Sequence, residues 1–400
     1  MNVCFITMDY HKKGKGGGLA SYISAVSHML VKLGHKVVLI CYDPKKKEWK
    51  KENGCNILYW PFGNIHWYWH RLRLPYQVDL PLREIEWGFN IYKAVNEIKK
   101  KFSIDIIETS EIGNLFLSKS KIPYIVRLHG EPYVFTKYCQ KPLHAGLRIS
   151  NKMHLYAMRR AAALTSPSLK HAKEIASQLK WDFKKIKVIP NLAISSFVEA
   201  GSSNAPEFEN IDAPRIIHPA RIDFRKGTIP FLESIPDIIE HFPKAKFVIT
   251  GDSTGTIKDN QIKEILTKNN IGHCVQITGH VEHEQMLKIY SQSQIVVMPS
   301  YYETFGISCL EAMAFGLPVI ASNAGGLSEV VENEVTGILI KPGDSRAISE
   351  AVLRLLKQPK TCRRMGIAGR KKLLDNFTAE KIAQRTIGFY KEVLGSLNSL

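Results

Sequence analysis

The chain has 400 residues, 44% of them apolar and 23% charged, with 27 glycines and 19 prolines, which excludes a disordered chain, a collagen-like repeat and a small disulfide scaffold. Its length suits more than one domain. Lys and Arg total 55 against 37 Asp and Glu, a net charge of +18, and the excess is lopsided: residues 1–200 hold 32 basic and 15 acidic side chains, residues 201–400 hold 23 and 22. A basic half beside a neutral half argues for two modules that meet different partners, rather than for a uniformly basic binder of nucleic acid.

Seven cysteines (Cys4, Cys41, Cys55, Cys139, Cys274, Cys309, Cys362) are scattered, with no CxxC pair and no His cluster at zinc spacing. They read as reduced thiols of a cytoplasmic protein. The apolar start over residues 1–8 is too short for a signal sequence and runs into charges between Asp9 and Lys15. No stretch nears the roughly 18 apolar residues that span a bilayer. The expectation is a soluble or membrane-peripheral chain.

Along the chain, short β-rich apolar runs alternate with helical patterns, the mark of parallel βαβ units. Strands are predicted at 3–8, 36–41, 104–108, 124–128, 163–165 and 187–189, and a second series at 215–219, 246–250, 275–278, 295–298, 318–321 and 337–340. Residues 196–214, rich in Ser, Pro, Gly and acid and poor in periodicity, read as the linker between domains 1–195 and 215–378. The run KKKEWKK at 45–51 reads as a solvated loop. Two doubly wound α/β domains in tandem each carry a ligand crevice at the carboxyl ends of their strands, and a single active site in the cleft where they face each other.

Three places carry chemistry. After the first strand, Gly16, Gly17 and Gly18 precede a helix predicted at 20–33. Glycines let backbone approach an anion, and the helix start supplies free N–H groups, so a phosphate can dock; a solvated glycine turn is the alternative. The second is the stretch PSYYETFGISCLEAMAFG at 299–316. Glu303 lies in the loop after a strand, Thr304, Phe305 and Gly306 form a small turn, and a helix beginning at Ile307 carries Glu311. Both carboxylates can face one ligand with free N–H groups between them, which suits the hydroxyls and phosphates of a nucleotide sugar. Taken singly, Glu303 is equally a helix-dipole partner and Glu311 a surface charge. In HPARIDFRKG, thirdly, Arg221 and Lys226 stand either side of a turn after a strand, a planar fork and a point charge able to meet a diphosphate.

ETFGISCLE at 303–311 resembles the EX7E motif of the retaining glycosyltransferase family 4, and the following AMAFGLPVIASNAGGLSEVVENEVTGILIKPGD is similar to that family throughout. RIDFRKG at 221–227 resembles its diphosphate motif, TGHVE at 278–282 its base-binding loop and KVIPN at 187–191 the end of its first domain. The glycine triplet and RLHGE at 127–131 extend the likeness over about residues 1–390. The resemblance implies an α/β GT-B fold of two Rossmann-like domains facing across a cleft. In it 1–195 binds the acceptor, 215–378 binds the nucleotide sugar, and a helix at 379–400 packs back toward the first domain.

It also implies retaining transfer from a nucleotide-diphosphate sugar, most often a UDP-sugar, to a hydroxyl of a glycan or lipid-linked acceptor in cell-surface polysaccharide or glycolipid synthesis. Glu303 would hold donor-sugar hydroxyls beside the amides of Thr304, Phe305, Gly306 and Ile307. Glu311 would hold the ribose, Val281 the base through its main chain, and His129 the transferred sugar. No DxD-like pair stands at a strand end, so Arg221 and Lys226 supply the charge and no metal or tightly bound cofactor is expected. In such enzymes the departing diphosphate takes the acceptor's proton, so no general base is named.

Within the basic half, residues 59–76 interleave Trp60, Trp67 and Trp69 with His66, His70, Arg71 and Arg73. That pattern suits a sugar platform, a membrane-interface anchor, a base-stacking surface or an ordinary packed loop. An anionic leaflet at the inner face of the plasma membrane would attract this half. Two rivals remain at this point. A GT-B epimerase or phosphorylase shares the fold, although no pyridoxal lysine is apparent; a basic nucleic-acid binder shares the charge but lacks any RNP, zinc-finger or KH pattern.

Overall fold

The computed structural model describes residues 1–7, 18–44, 46–61, 76–130, 132–138, 144–203, 207–208 and 212–398. The chain divides into two units, Met1–Pro190 with Ala379–Leu400, and Asn191–Thr378. It is α/β throughout, each unit built on one largely parallel sheet.

The first unit contains β1 (Asn2–Thr7), β2 (Lys36–Tyr42), β3 (Glu48–Glu52), β4 (Cys55–Trp60), β5 (Ile106–Ser110), β6 (Tyr124–Arg127), β7 (Ala163–Ser166) and β8 (Ile186–Val188). Their order is β3-β4-β2-β1-β5-β6-β7-β8, parallel except for β3 against β4. Strands β1 and β2 are apolar along nearly their whole length, as a sheet covered on both faces requires: Val3, Cys4, Phe5, Ile6 and Val37 through Cys41 are all buried.

Strands β3 and β4 are absent from the sequence expectation, which has a solvated loop over 45–51. There the sequence EWKKE instead forms an edge strand. Lys47 lies 4.8 Å from the Trp60 ring and pairs with Glu97 at 2.9 Å, and Lys50 lies 5.4 Å from the Tyr59 ring. Lysine stems covering aromatic faces give an edge strand little apolar signal while blocking further strand pairing.

One buried ionic cluster organises this unit. Arg127 on β6 is fully buried, its guanidinium 3.8 Å above the Tyr22 ring, and it donates to the carbonyls of Ile189 at 2.9 Å and Pro190 at 3.1 Å, the unit's last residues before the chain leaves. Glu108 on β5 accepts a 2.6 Å hydrogen bond from Tyr390 of the helix Ala379–Asn398. Burial raises the Glu108 carboxyl above its usual range, with Arg127 opposing. The C-terminal helix is thus part of the first unit, where it packs on the helix Gly18–Lys32.

The second unit contains β9 (Arg215–Pro219), β10 (Lys246–Thr250), β11 (Val275–Ile277), β12 (Ile295–Met298), β13 (Val319–Ser322) and β14 (Gly337–Ile340), all parallel, in the order β11-β10-β9-β12-β13-β14. Where the sequence reads as a linker over 196–214, Ser195–Ser203 is a helix of this unit. Its Phe197 is 2% exposed and meets the Tyr290 and Phe315 rings edge-on at 5.7 and 6.3 Å. A single buried aromatic anchors the turn, and the surrounding Ser and Gly hide it from a periodicity argument.

The sheet order fixes where a site can form. From β9 the chain moves to β10 on one side and later returns to β12 on the other, so the loops after β9 and β12 part at a topological switch point. In the first unit β1 and β5 meet in the same way. At the β9/β12 point the two loops touch through Gly227. Its φ is +72°, and a Cβ there would stand 2.2 Å from the Pro299 carbonyl oxygen. The Tyr301 N–H donates to the Arg225 carbonyl at 2.8 Å, and the Phe224 and Tyr301 rings stack at 5.1 Å.

Replacing Gly227 by Ala combines left-handed strain with a backbone clash and should cost about 3 kcal/mol or more. Equilibrium denaturation would read this as a lowered midpoint, and an unshifted midpoint would contradict the close approach.

Candidate functional site

The loop after β9 is shaped by Asp223. One carboxylate oxygen accepts from the Arg225 N–H at 2.8 Å and the other from the Thr254 hydroxyl at 2.9 Å. This folds Phe224–Lys226 into a short 3-10 turn that Gly227 ends, delivering Arg225 and Lys226 to the β12 loop. Lys226 Nζ bonds Glu303 Oε1 directly, Ser300 Oγ donates to that oxygen at 3.3 Å, and Arg225 Nη1 lies 3.7 Å from Oε2. Glu303 is 8% exposed. Burial works against its charge, but Lys226 and then Arg225 outweigh it and hold the carboxyl below its usual range.

The structure therefore brings together Glu303 and Lys226, and adds Arg225, which sequence reasoning passed over in favour of Arg221. Arg225 is buried and committed to the Tyr302 carbonyl at 2.9 Å. Arg221 is exposed, and among the described residues its guanidinium has no hydrogen-bonding partner. Both arginines follow one strand, and the motif alone does not say which turns inward. His218 also went unnoticed. It is buried on β9 with Nδ1 2.9 Å from the Val297 carbonyl, and burial takes its pKa down to about 4, so it stays neutral behind the ion pair.

The backbone of residues 303–305 is held from the other side by Gly325 and Gly326. A Cβ on either would stand 2.0 Å from the Glu303 carbonyl oxygen or 2.4 Å from that of Thr304, and the Gly326 N–H donates to the Glu303 carbonyl at 2.8 Å. The dipeptide was visible in sequence, but its target lies over twenty residues away. Phe305 is a core side chain, edge-on to Phe377 at 5.8 Å, so it offers a ligand only backbone. Gly306, at φ +103°, starts the helix Ile307–Ala314 with no side-chain cap, so its first N–H groups are left for a ligand.

Glu311 lies one turn further, half-buried, and its Oε2 accepts from the Tyr290 hydroxyl at 2.9 Å. Burial pushes this carboxyl up to about 7, and hydrogen bonds from Tyr290 and Ser308 limit the rise. The β10 and β11 loops continue the rim: the Gly251 N–H donates to the Gly279 carbonyl at 2.6 Å, and Asp252 accepts from the His280 N–H at 2.9 Å. Val281 follows, half-buried. Among the described residues no three His, Cys, Asp or Glu side chains gather as metal ligands.

In the first unit, His129 follows β6, its ring 5.4 Å from that of Tyr22. Its N–H and that of Gly130 donate to Glu111 at 3.1 and 2.6 Å, and Glu111 is buried just after β5. Burial first, then Arg127 and His171, pull the His129 pKa well below its ordinary value, so the imidazole is neutral. Glu111 carried no sequence signal. Gly18 opens the helix Gly18–Lys32 and is exposed. Gly16, Gly17, Glu131, Cys139 and the aromatic stretch 62–75 lie outside the described residues.

Comparison with known proteins gives a family and a fold. The model of the family described as Glycosyl transferases group 1 matches residues 203–372, and that of Glycosyltransferase Family 4 matches residues 16–193. An uncharacterized glycosyltransferase of Methanocaldococcus jannaschii is 25% identical over 415 aligned residues, covering 98% of each chain. Among solved structures, the sucrose-phosphate synthase of Thermosynechococcus elongatus superposes with a TM-score of 0.76 at 22% identity over 99% of each chain. HepE of Anabaena, solved in complex with UDP and glucose, superposes with a TM-score of 0.69 at 17% identity over 100% of this chain and 99% of that one. These likenesses show a GT-B fold.

The raised Glu311 pKa has a consequence for stability. A carboxyl whose folded pKa lies above its unfolded value destabilises the fold as pH rises from about 4.3 toward 7, and no further above that. Glu311→Gln should therefore melt higher than wild type at pH 8, and the difference should shrink by pH 5. A pH-independent difference in thermal unfolding would remove Glu311 from this titration.

Proposed function

The chain belongs to glycosyltransferase family 4, and on that premise we propose that it transfers a sugar, with retention of anomeric configuration, from a UDP-sugar to a hydroxyl of a glycan or lipid-linked acceptor. The observation that carries this reading is the Lys226–Glu303 pair at the β9/β12 switch point, beside an uncapped helix start. The UDP in the HepE structure supports the nucleotide.

The residues divide the task by what each has left to offer. Lys226 has three N–H donors and gives one to Glu303, so two remain for the diphosphate. Arg225 is buried, with Nη1 on the Tyr302 carbonyl, so the exposed Arg221 is the fork that meets phosphate oxygens. Glu303, kept ionised, accepts from donor-sugar hydroxyls, and the N–H groups from Thr304 to Ile307 add donors. Glu311 takes the ribose, and the 278–282 loop with Val281 borders the base.

As the bond from anomeric carbon to diphosphate oxygen breaks, negative charge grows on the leaving group, and Lys226 and Arg221 stabilise it where it forms. The acceptor oxygen then bonds the anomeric carbon from the same face and its proton passes to the departing phosphate oxygen. This requires no enzymic base, and the charge is supplied without a metal; activity should survive EDTA.

The acceptor side rests on charge. The first unit has 35 basic against 16 acidic side chains and the second 20 against 21. An anionic acceptor, or an acceptor held in an anionic leaflet on the cytoplasmic side, fits the first unit at about 1 kcal/mol per cation near the surface. No described helix is long and apolar enough to cross a membrane, so attachment would be peripheral. Flotation should recover the protein with anionic vesicles and not with neutral ones at moderate salt; equal recovery would remove the membrane from the proposal.

A thermal-shift screen over UDP-, GDP-, ADP- and dTDP-sugars should single out a UDP-sugar, because a bound donor stabilises by mass action. Glu303→Ala, folded as judged by its melting transition, should lose about 10³-fold in kcat. Near wild-type transfer by that variant would refute the site, and an inverted product anomer by NMR would refute retention.

A further inference from the structure

The proposed ribose contact asks Glu311 to accept from two vicinal hydroxyls, yet a carboxylate on a short helix can rotate, and burial pushes this one up to about 7. We propose that Tyr290 is the positioning residue that aims Glu311 at the ribose diol and keeps it an acceptor. The proposal rests on the ribose reading given above.

The geometry is specific. Tyr290 is fully buried on the helix His283–Ser291, which follows the loop assigned to the base. Its ring is fixed on two sides, stacked on Phe315 at 5.8 Å and met edge-on by Phe197 at 5.7 Å. Only the hydroxyl emerges, 2.9 Å from Glu311 Oε2 and 3.4 Å from the Ser308 carbonyl. Burial and the neighbouring carboxylate raise the phenol well above its ordinary pKa, so it is a donor at every accessible pH. A donor on Oε2 fixes the carboxylate plane and leaves Oε1 and the remaining lone pairs of Oε2 for ribose. It also favours the ionised form, which accepts from both hydroxyls, whereas the acid accepts from one.

The groups facing Glu311 are few. Tyr290 approaches from its own helix, Ser308 and Cys309 stand on the helix Ile307–Ala314, and burial keeps the Cys309 thiol protonated. Among the described residues no cation pairs with Glu311. Hydrogen bonds to a charged group carry more weight than neutral ones, and the loss of one unsupported by any ion pair is felt in full. Because the 283–291 helix starts where the base loop ends, a base seated in that loop and a ribose held by Glu311 are read through one rigid element.

The test is calorimetric binding of UDP-glucose and of its 2′-deoxyribose analogue to wild type, Tyr290→Phe and Glu311→Gln, from pH 6 to 8.5. Tyr290→Phe should weaken UDP-glucose about tenfold at pH 7, with the penalty falling to threefold or less for the 2′-deoxy donor. The pH midpoint of binding, near 7 in wild type, should move up by about one unit in the variant, and be absent in Glu311→Gln. A merely structural tyrosine would weaken both donors alike and leave the midpoint in place, which would overturn the proposal. Should Tyr290→Phe fail to fold, wild type decides alone: a flat profile from pH 6 to 8.5 overturns it. Glu311→Gln binding UDP-glucose as wild type does would instead overturn the ribose reading, and binding of no nucleotide sugar at all would overturn the functional reading itself.

Discussion

The second unit depends on one buried ion pair. Lys226 and Glu303 come from loops that leave adjacent strands in opposite directions, and each largely compensates the other's buried charge, with Arg225 assisting at Glu303. Removing one partner of a buried pair typically costs 3–5 kcal/mol, because the charge left behind has no water. Such a pair adds little net stability over an apolar filling, so stability does not explain its presence. The pair holds an ionised carboxylate and an ammonium with spare donors in fixed positions, which is the preorganisation that the proposed stabilisation of a departing anion requires.

That arrangement is possible only because backbone replaces side chain at several contacts. Gly227 lets the β9 loop lie on Pro299, and Gly325 and Gly326 let a third loop lie on residues 303–305. Each contact immobilises main chain that carries a functional group on the next residue or two. The site is thus a stack of three backbone segments, β9 loop, β12 loop and β13 loop, with Glu303 in the middle layer. The ring stack of Phe224 on Tyr301 closes the same seam with side chains.

How much of this was legible in the sequence follows from the range of each interaction. The strands of the second unit and the positions of Glu303, Lys226 and Glu311 were readable, because fully apolar parallel strands and motif spacing are local signals. Phe197 in the helix Ser195–Ser203 was hidden, since one anchoring aromatic makes no periodicity. The edge strand β3 was hidden because its lysines pack by their stems. Arg225 against Glu303, Tyr290 beneath Glu311, Glu111 beneath His129 and the glycine pair against Glu303 are all contacts in space between residues whose local sequence gives no reason to choose them. The structure supplies what a motif omits, namely which of two similar side chains is already engaged.

The charge asymmetry takes on a narrower meaning once the units are drawn. With the C-terminal helix assigned to the first unit, that unit carries +19 and the second −1. At physiological ionic strength fields between exposed charges fade over about 8 Å. The basic excess of one unit therefore acts on whatever touches that unit's own surface, and in the proposed reading the donor's diphosphate is met by cations counted singly in a neutral one. Donor recognition is then a matter of placed groups and should be little affected by salt. Acceptor or surface recognition is a matter of accumulated charge and should weaken steeply with it. Under the proposed function, two binding steps of different salt sensitivity are what this division of charge implies.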